Sequence, residues 1–236
     1  MEIEIFNLGN VFYPDYIVKT AAGLVKIDAG NATDYETFCA KLHRKGLSER
    51  DIKYLVLTHV HADHVAYLAD LMHDVGPTLL WGRCAEENWL LGADRLMTYS
   101  SKWAKRLSEM AATLRGGAAK WQPLECLGWS RIVVPPKGEY RLDDVGMRVC
   151  GLPGHTRDSV MVAFDGGVCF VGDMLMNCVP AVHGLPLLIE DEAAFKESFA
   201  RLQAMPAHIF YLGHGAPVGK AEMEKFAPYV EALHIV

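Results

Sequence analysis

Residues 52–64 read IKYLVLTHVHADH, an apolar run too short for a buried helix that passes directly into three histidines and an aspartate. A continuous run of this length marks a strand covered on both faces, so the polar cluster begins where a central strand ends. His59 and His61 are two apart in extended backbone, which sends both imidazoles to one side. Asp63 and His64 are expected to open the next helix, read over HVAYLADLMHDVG, where the dipole favours a carboxylate. Nitrogen and oxygen donors at this density suit zinc or a similar borderline ion. Taken by itself, the cluster also fits a polar loop or a pH-sensitive patch.

The same arrangement recurs three times. His155 in LPGHT, Asp173 in CFVGD and His214 in FYLGH each follow an apolar run and a glycine, which permits a tight turn or a close backbone approach. Donors at the ends of several strands can converge on one edge of a sandwich. Seven exceed what one zinc ion needs and suit two ions bridged by a carboxylate and a hydroxide. Strands are expected at EIEIF, YIVKTA, LVKIDAG, RIVVP, EYRL, MRVCGL, SVMVAF, GVCFVGD and HIFYLG. Helices are expected over NATDYETFCAKLHRKG, capped by Thr33 or Asp34, and at about 192–203 and 220–232. This order predicts two mixed β-sheets with helices outside, in a single domain spanning residues 1–236.

Residues 83–131 differ in texture. Four of the five tryptophans lie between 89 and 129, and the stretch Arg83–Lys137 carries nine Lys/Arg against five Asp/Glu in a chain of net charge −6. This helical, aromatic and basic insert is the candidate substrate wall, with Trp89 and Trp103 against an acyl group and the basic residues drawing in an anionic end. A dimer surface, making a homodimer, and plain core packing are its other readings. The acidic balance argues against nucleic acid or an anionic membrane as partner. MEIEIFNLGNVF lacks the basic start and apolar stretch of a signal peptide, no window approaches the roughly 18 apolar residues of a membrane span, and the six cysteines form no C-x-x-C pair. A cytoplasmic protein with reduced thiols is the expectation.

His59, His61, Asp63 and His64 spell H-x-H-x-D-H, which with His155, Asp173 and His214 in order resembles the metallo-β-lactamase fold superfamily. The resemblance implies an α+β, four-layer αβ/βα sandwich. It implies that His59, His61 and His155 hold a first metal ion, that Asp63, His64 and His214 hold a second, and that Asp173 bridges them. Asp28 in DAG matches the strand-ending aspartate that orients a ligand from behind. Zinc is the first choice of ion, with iron or manganese as alternatives.

Asp173 and the absent signal peptide point away from the β-lactamases proper. The set is most similar to the hydroxyacylglutathione hydrolases (glyoxalase II) and the acyl-homoserine lactonases. Those relatives often continue H-x-H-x-D-H with a small residue and Gly-Gly, where this chain has Val65-Ala66-Tyr67; after GHT they often have Pro-Gly-Ser, here Arg157-Asp158-Ser159. The chain also ends at Val236, soon after His214, without the helical substrate domain of glyoxalase II. The expected function is a di-metal hydrolase whose metal-bridging hydroxide cleaves an ester, lactone or thioester of a small acyl substrate, with Asp63 orienting the water or taking its proton. The alternatives are a phosphodiesterase of the same fold and a mono-iron oxidoreductase acting on persulfides. Cys178 and His183, on the stretch after Asp173, are further candidates for touching substrate.

Overall fold

Apolar residues alternate along nearly every strand, and the two sets of positions end up in different cores. The computed structural model describes residues 2–30, 34–91, 98–106, 128–179, 181 and 183–236. The strands are β1 (Glu4–Asn7), β2 (Tyr16–Thr20), β3 (Gly23–Ile27), β4 (Ile52–Val56), β5 (Thr78–Gly82), β6 (Thr98–Tyr99), β7 (Arg131–Val134), β8 (Glu139–Leu142), β9 (Met147–Gly151), β10 (Val160–Phe164), β11 (Val168–Phe170), β12 (Leu188–Ile189), β13 (Ile209–Tyr211) and β14 (Val218–Gly219). One sheet has the order β1-β2-β3-β4-β5-β7 and the other β14-β13-β11-β10-β9-β8, with β12 and β6 pairing separately.

Val18, Val25, Ile27, Val56 and Leu80 of the first sheet meet Val149, Val160, Val162 and Phe170 of the second in the central core. The alternate residues Ile17, Leu55, Leu79 and Trp81 face outward onto α1 (Tyr35–His43), α2 (Leu68–Asp74) and α3 (Ala85–Leu91). Met161, Ala163 and Phe210 of the second sheet pack on α4 (Glu192–Ala204) and the C-terminal helical segments. The layers are therefore αβ/βα, the four-layer α+β sandwich expected. Among the described residues no helix is long and apolar enough to cross a membrane.

Strands β3, β4, β5 and β7 are parallel. Strands β9 and β11 both run antiparallel to β10, and β13 runs parallel to β11. The Val160 amide donates to the Thr58 carbonyl at 2.7 Å, which joins the start of β10 to the end of β4. The C-terminal ends of β3, β4, β9, β11 and β13 thus share one edge, where open α/β sheets present their loops to ligands.

Several expectations need correction. The second helix starts at Leu68, so Asp63 and His64 lie in a turn before it. The backbone there is committed elsewhere: the His64 carbonyl accepts from Ala29 N–H at 2.7 Å, and Tyr67 N–H donates to the Ala29 carbonyl at 3.0 Å. Strand β5, between β4 and the edge strand β7, was not among the expected strands. The helix expected at 220–232 is divided into Lys220–Met223, Glu224–Phe226 and Ala227–Glu231. Asp34 caps α1, its side chain accepting from Thr37 N–H; Thr33 lies outside the described residues. So do residues 92–97 and 107–127 of the insert, whose described part includes α3 and the short strand β6.

Candidate metal centre

The four strand-end segments bring His59, His61, Asp63, His64, His155, Asp173 and His214 together. His59 Nε2, His61 Nδ1 and His155 Nε2 lie 2.9, 3.2 and 3.3 Å from one another. Ligands of a tetrahedral ion with bonds of ~2.05 Å sit about 3.3 Å apart. Asp63, His64 and His214 form a second cluster, with Asp63 Oδ2 at 3.2 Å from His214 Nε2. Asp173 lies between the two: Oδ2 is 3.8 Å from His155 Nε2 and 3.4 Å from His214 Nε2, and Oδ1 is 3.5 Å from His64 Nε2. His64 Nε2 and Asp173 Oδ1 are buried with no hydrogen-bond partner, a cost that a cation between them would relieve.

Outer contacts aim the rings. His155 Nδ1 donates to the Leu188 carbonyl at 2.7 Å and His214 Nδ1 to the Phe12 carbonyl at 2.9 Å, so Nε2 of each points inward. His64 Nδ1 is 2.9 Å from Asp28 Oδ2, and Asp28 also accepts from the Thr58 amide and hydroxyl. Asp28 thus stands behind the Nδ1 of His64. Asp28 holds φ +55°, unusual for a residue with a side chain. Gly213 is required by close approach, because a Cβ there would stand 2.1 Å from Asp173 Oδ1.

The two clusters have opposite electrostatics. Burial, reinforced by neighbouring rings, drives His59 well below the usual imidazole value. Burial likewise outweighs the nearby carboxylates and pushes His61 to about 4; burial and His61 push His155 to about 4. For His64 burial acts in the same sense, but Asp28, Asp173 and Asp63 overcome it and raise the ring well above its ordinary value. His214 is raised to about 9, burial being outweighed by Asp173 and Asp63. Burial opposes ionisation of Asp63 and Asp173, yet the facing histidines hold both below the usual carboxylate range. Three unprotonated nitrogens beside a histidine–carboxylate set form a donor group suited to a divalent cation.

Asp63 is the donor open to solvent, its side chain 42% exposed where those of His64, His155, Asp173 and His214 are nearly covered. On the far side of His214 from its Nε2 runs the loop before β2. Phe12 and Val11 bond to His214 and Gly215 through their carbonyls and leave large apolar side chains exposed, and the Tyr13 ring stands edge-on to His214. That loop was not singled out in the sequence; its NVFYPDY stretch has no ligand-type signature.

The expected substrate contacts are dispersed. Trp89 is buried in the outer core of the first sheet among Trp81 and Ala85, which makes it packing and not a wall. Trp103 is exposed. Cys178 is half-buried, its thiol pushed up by burial and by the charge of Asp173. His183 stacks flat on Tyr229 at 3.8 Å, with φ +58°.

A sequence model described as the metallo-beta-lactamase superfamily matches residues 14–214. Among solved structures, TTHA1623 in a di-iron-bound form is 25% identical, with 96% of this chain and 99% of that one covered and a TM-score of 0.64. An archaeal metallo-beta-lactamase superfamily protein, ST1585 from Sulfolobus tokodaii, is 22% identical over 96% of this chain and 85% of its own, with a TM-score of 0.61. A metallo-beta-lactamase from Cronobacter sakazakii with a HARLDQ motif is 17% identical over 98% and 95%, with a TM-score of 0.67. The last two speak to the fold alone. No curated protein sequence gives a significant match.

Proposed function

The chain belongs to the metallo-beta-lactamase superfamily, and from that premise we propose that it is a di-metal hydrolase of an ester, lactone or thioester bond. The observation that carries this reading is the position of Asp173, a buried carboxylate whose oxygens face His155 on one side and His64 and His214 on the other. His59, His61 and His155 would hold one ion, Asp63, His64 and His214 the other, with Asp173 shared. Two divalent ions held there would supply a hydroxide near neutral pH and would polarise a carbonyl oxygen. Asp63, open to solvent and 3.2 Å from His214 Nε2, would orient the attacking water and hold its proton. Val11 and Phe12 offer an apolar rim for the acyl part. The buried rings and Asp173 exclude bulk water from the far side.

The test is metal content and stoichiometry, followed by assay of the loaded protein on thioesters, lactones and phosphodiesters. Two ions with acyl hydrolysis are expected, and Asp63→Asn should cut that activity by about 10²-fold or more while retaining the fold. Phosphodiester cleavage without acyl hydrolysis would replace the reading with the phosphodiesterase. A single iron with oxygen consumption on a persulfide would replace it with the oxidoreductase.

Loading of the two clusters should depend differently on pH. A proton competes with an ion for a ring nitrogen's lone pair only below the pKa of that ring. His61 and His155, at about 4, and His59, lower than usual, are already neutral at pH 7, each with one ring nitrogen holding a free lone pair. His214, at about 9, and the raised His64 are not. First-ion affinity should therefore be nearly flat from pH 6 to 8. Second-ion affinity should rise with pH across that range, by about tenfold per unit for each proton displaced. Chelator competition at several pH values measures both; two parallel profiles would contradict the assignment of ions to clusters.

A further inference from the structure

We propose that Asp158 is a positioning residue for the three-histidine cluster, a single carboxylate that ties together the segments bearing His59, His61 and His155. Its Oδ2 accepts from the Val60 amide at 2.9 Å, and Val60 is the residue between His59 and His61. Its Oδ1 accepts from Asn88 Nδ2 of α3 at 2.6 Å. Its own backbone continues the turn that carries His155, and the next strand begins two residues later at Val160. His59 and His61 project to one side of Val60, so anchoring that amide from behind sets both rings at once. The Asp158 backbone is itself confined, since a Cβ on Gly82 would stand 1.9 Å from its carbonyl oxygen.

The arrangement has a cost. Asp158 is 1% exposed, and among the described residues no cation lies within ion-pair distance of it. Burial raises its carboxyl to about 6, against the hydrogen bonds from Thr156, Asn88 and Val60. A buried carboxylate held only by hydrogen-bond donors is a poor way to gain stability, and here its donors lead to the metal-facing loop. The departure at Arg157-Asp158-Ser159 from the Pro-Gly-Ser of relatives therefore installs a strut where a glycine has no side chain. The same carboxylate joins α3, and with it the start of the aromatic and basic insert, to the His59–His61 segment.

This inference rests on reading His59, His61 and His155 as ligands, and its test separates the two. Full-length wild type, Asp158→Ala, Asp158→Asn and Asn88→Ala would be titrated with Co²⁺ and with Zn²⁺ against a chromophoric chelator. The Co²⁺ absorption bands report the geometry around the ion, and melting curves report folding. Asp158→Ala should weaken the first binding step by about tenfold or more, shift the Co²⁺ bands of that step and leave the second step in place. Asp158→Asn should restore most of the affinity, because its Oδ1 can still accept from Val60 while the Asn88 amide turns to accept in its place. If Asp158→Ala fails to fold, Asn88→Ala, which leaves the Val60 bond intact, should show a smaller change in the first step alone. A folded Asp158→Ala with wild-type titration, or an Asp158→Asn as weak as the alanine variant, would overturn the proposal. Wild type that binds no ion would overturn the metal reading itself.

Discussion

Asp173→Asn should lower hydrolytic turnover by roughly 10³-fold or more, the several kcal/mol that a metal Lewis acid supplies, and reduce the metal content from two ions to one. The substitution preserves shape and removes one charge. Asp173 sits at the end of β11 with its side chain 7% exposed, and among the described residues it is the carboxylate whose oxygens approach both clusters. Oδ1 has no hydrogen-bond partner, so asparagine breaks no hydrogen bond there, although it removes the charge that faces His64 and His214. The backbone of Gly213 presses on that oxygen at a distance that would not admit a Cβ, so the carboxylate has no room to be replaced by a neighbour or to swing away. Without its charge, less negative charge would remain to offset the mutual repulsion of two cations. The first cluster keeps its three nitrogens and should keep its ion. Metal analysis beside a melting curve decides the matter: a variant that retains two ions and the wild-type rate would remove Asp173 from the centre of the mechanism.

The contrast between what could and could not be read from the sequence follows a physical line. The seven donors and Asp28 stood out because strand-ending loops place one polar residue after an apolar run, and that transition is local. The two sheets were legible because alternation has a period of two and each face here has its own core. The start of α2 was not, since its register depends on Ala29, which bonds to His64 and Tyr67 from the turn after β3, more than thirty residues earlier. Trp89 could not be told from a substrate wall because an aromatic at helical spacing fits both, and only its burial beside Trp81 distinguishes them. The departure at Tyr67 looked like a lost motif. It is a replacement: the Tyr67 ring lies against Gly30, where a Cβ would stand 1.9 Å from it, and its hydroxyl donates to Asp15 at 3.0 Å. Lys26 carries a sequence signal of its own, a lysine inside the apolar run LVKID where the alternation calls for a buried residue.

Lys26→Met should be the most destabilising single substitution outside the ligands, costing about 3–5 kcal/mol, or a fall of roughly 10 °C in Tm at this chain length. Lys26 is completely buried on β3, facing α1 and α2. Its ammonium spends three donors on three acceptors: Asp15 Oδ1 at 2.6 Å, the Ile27 carbonyl at 2.7 Å and the Asp28 carbonyl at 2.6 Å. Nζ also lies 5.7 and 5.8 Å from the Phe38 and Tyr67 ring centroids. Methionine keeps much of the stem but leaves the Asp15 carboxylate buried with the Tyr67 hydroxyl as its side-chain partner among the described residues, and frees two carbonyls. Those carbonyls flank the left-handed turn at Asp28, so the loss should reach the site, loosening the carboxylate that aims His64 and weakening second-ion affinity by about tenfold. The pair can be separated from the charge: Lys26→Met with Asp15→Asn removes the uncompensated anion and should recover part of the lost stability. Lys26→Met with an unchanged Tm would show that the buried pair carries no net stability. A double variant no better than the sum of its parts would show that the cost comes from the freed carbonyls and not from the stranded charge.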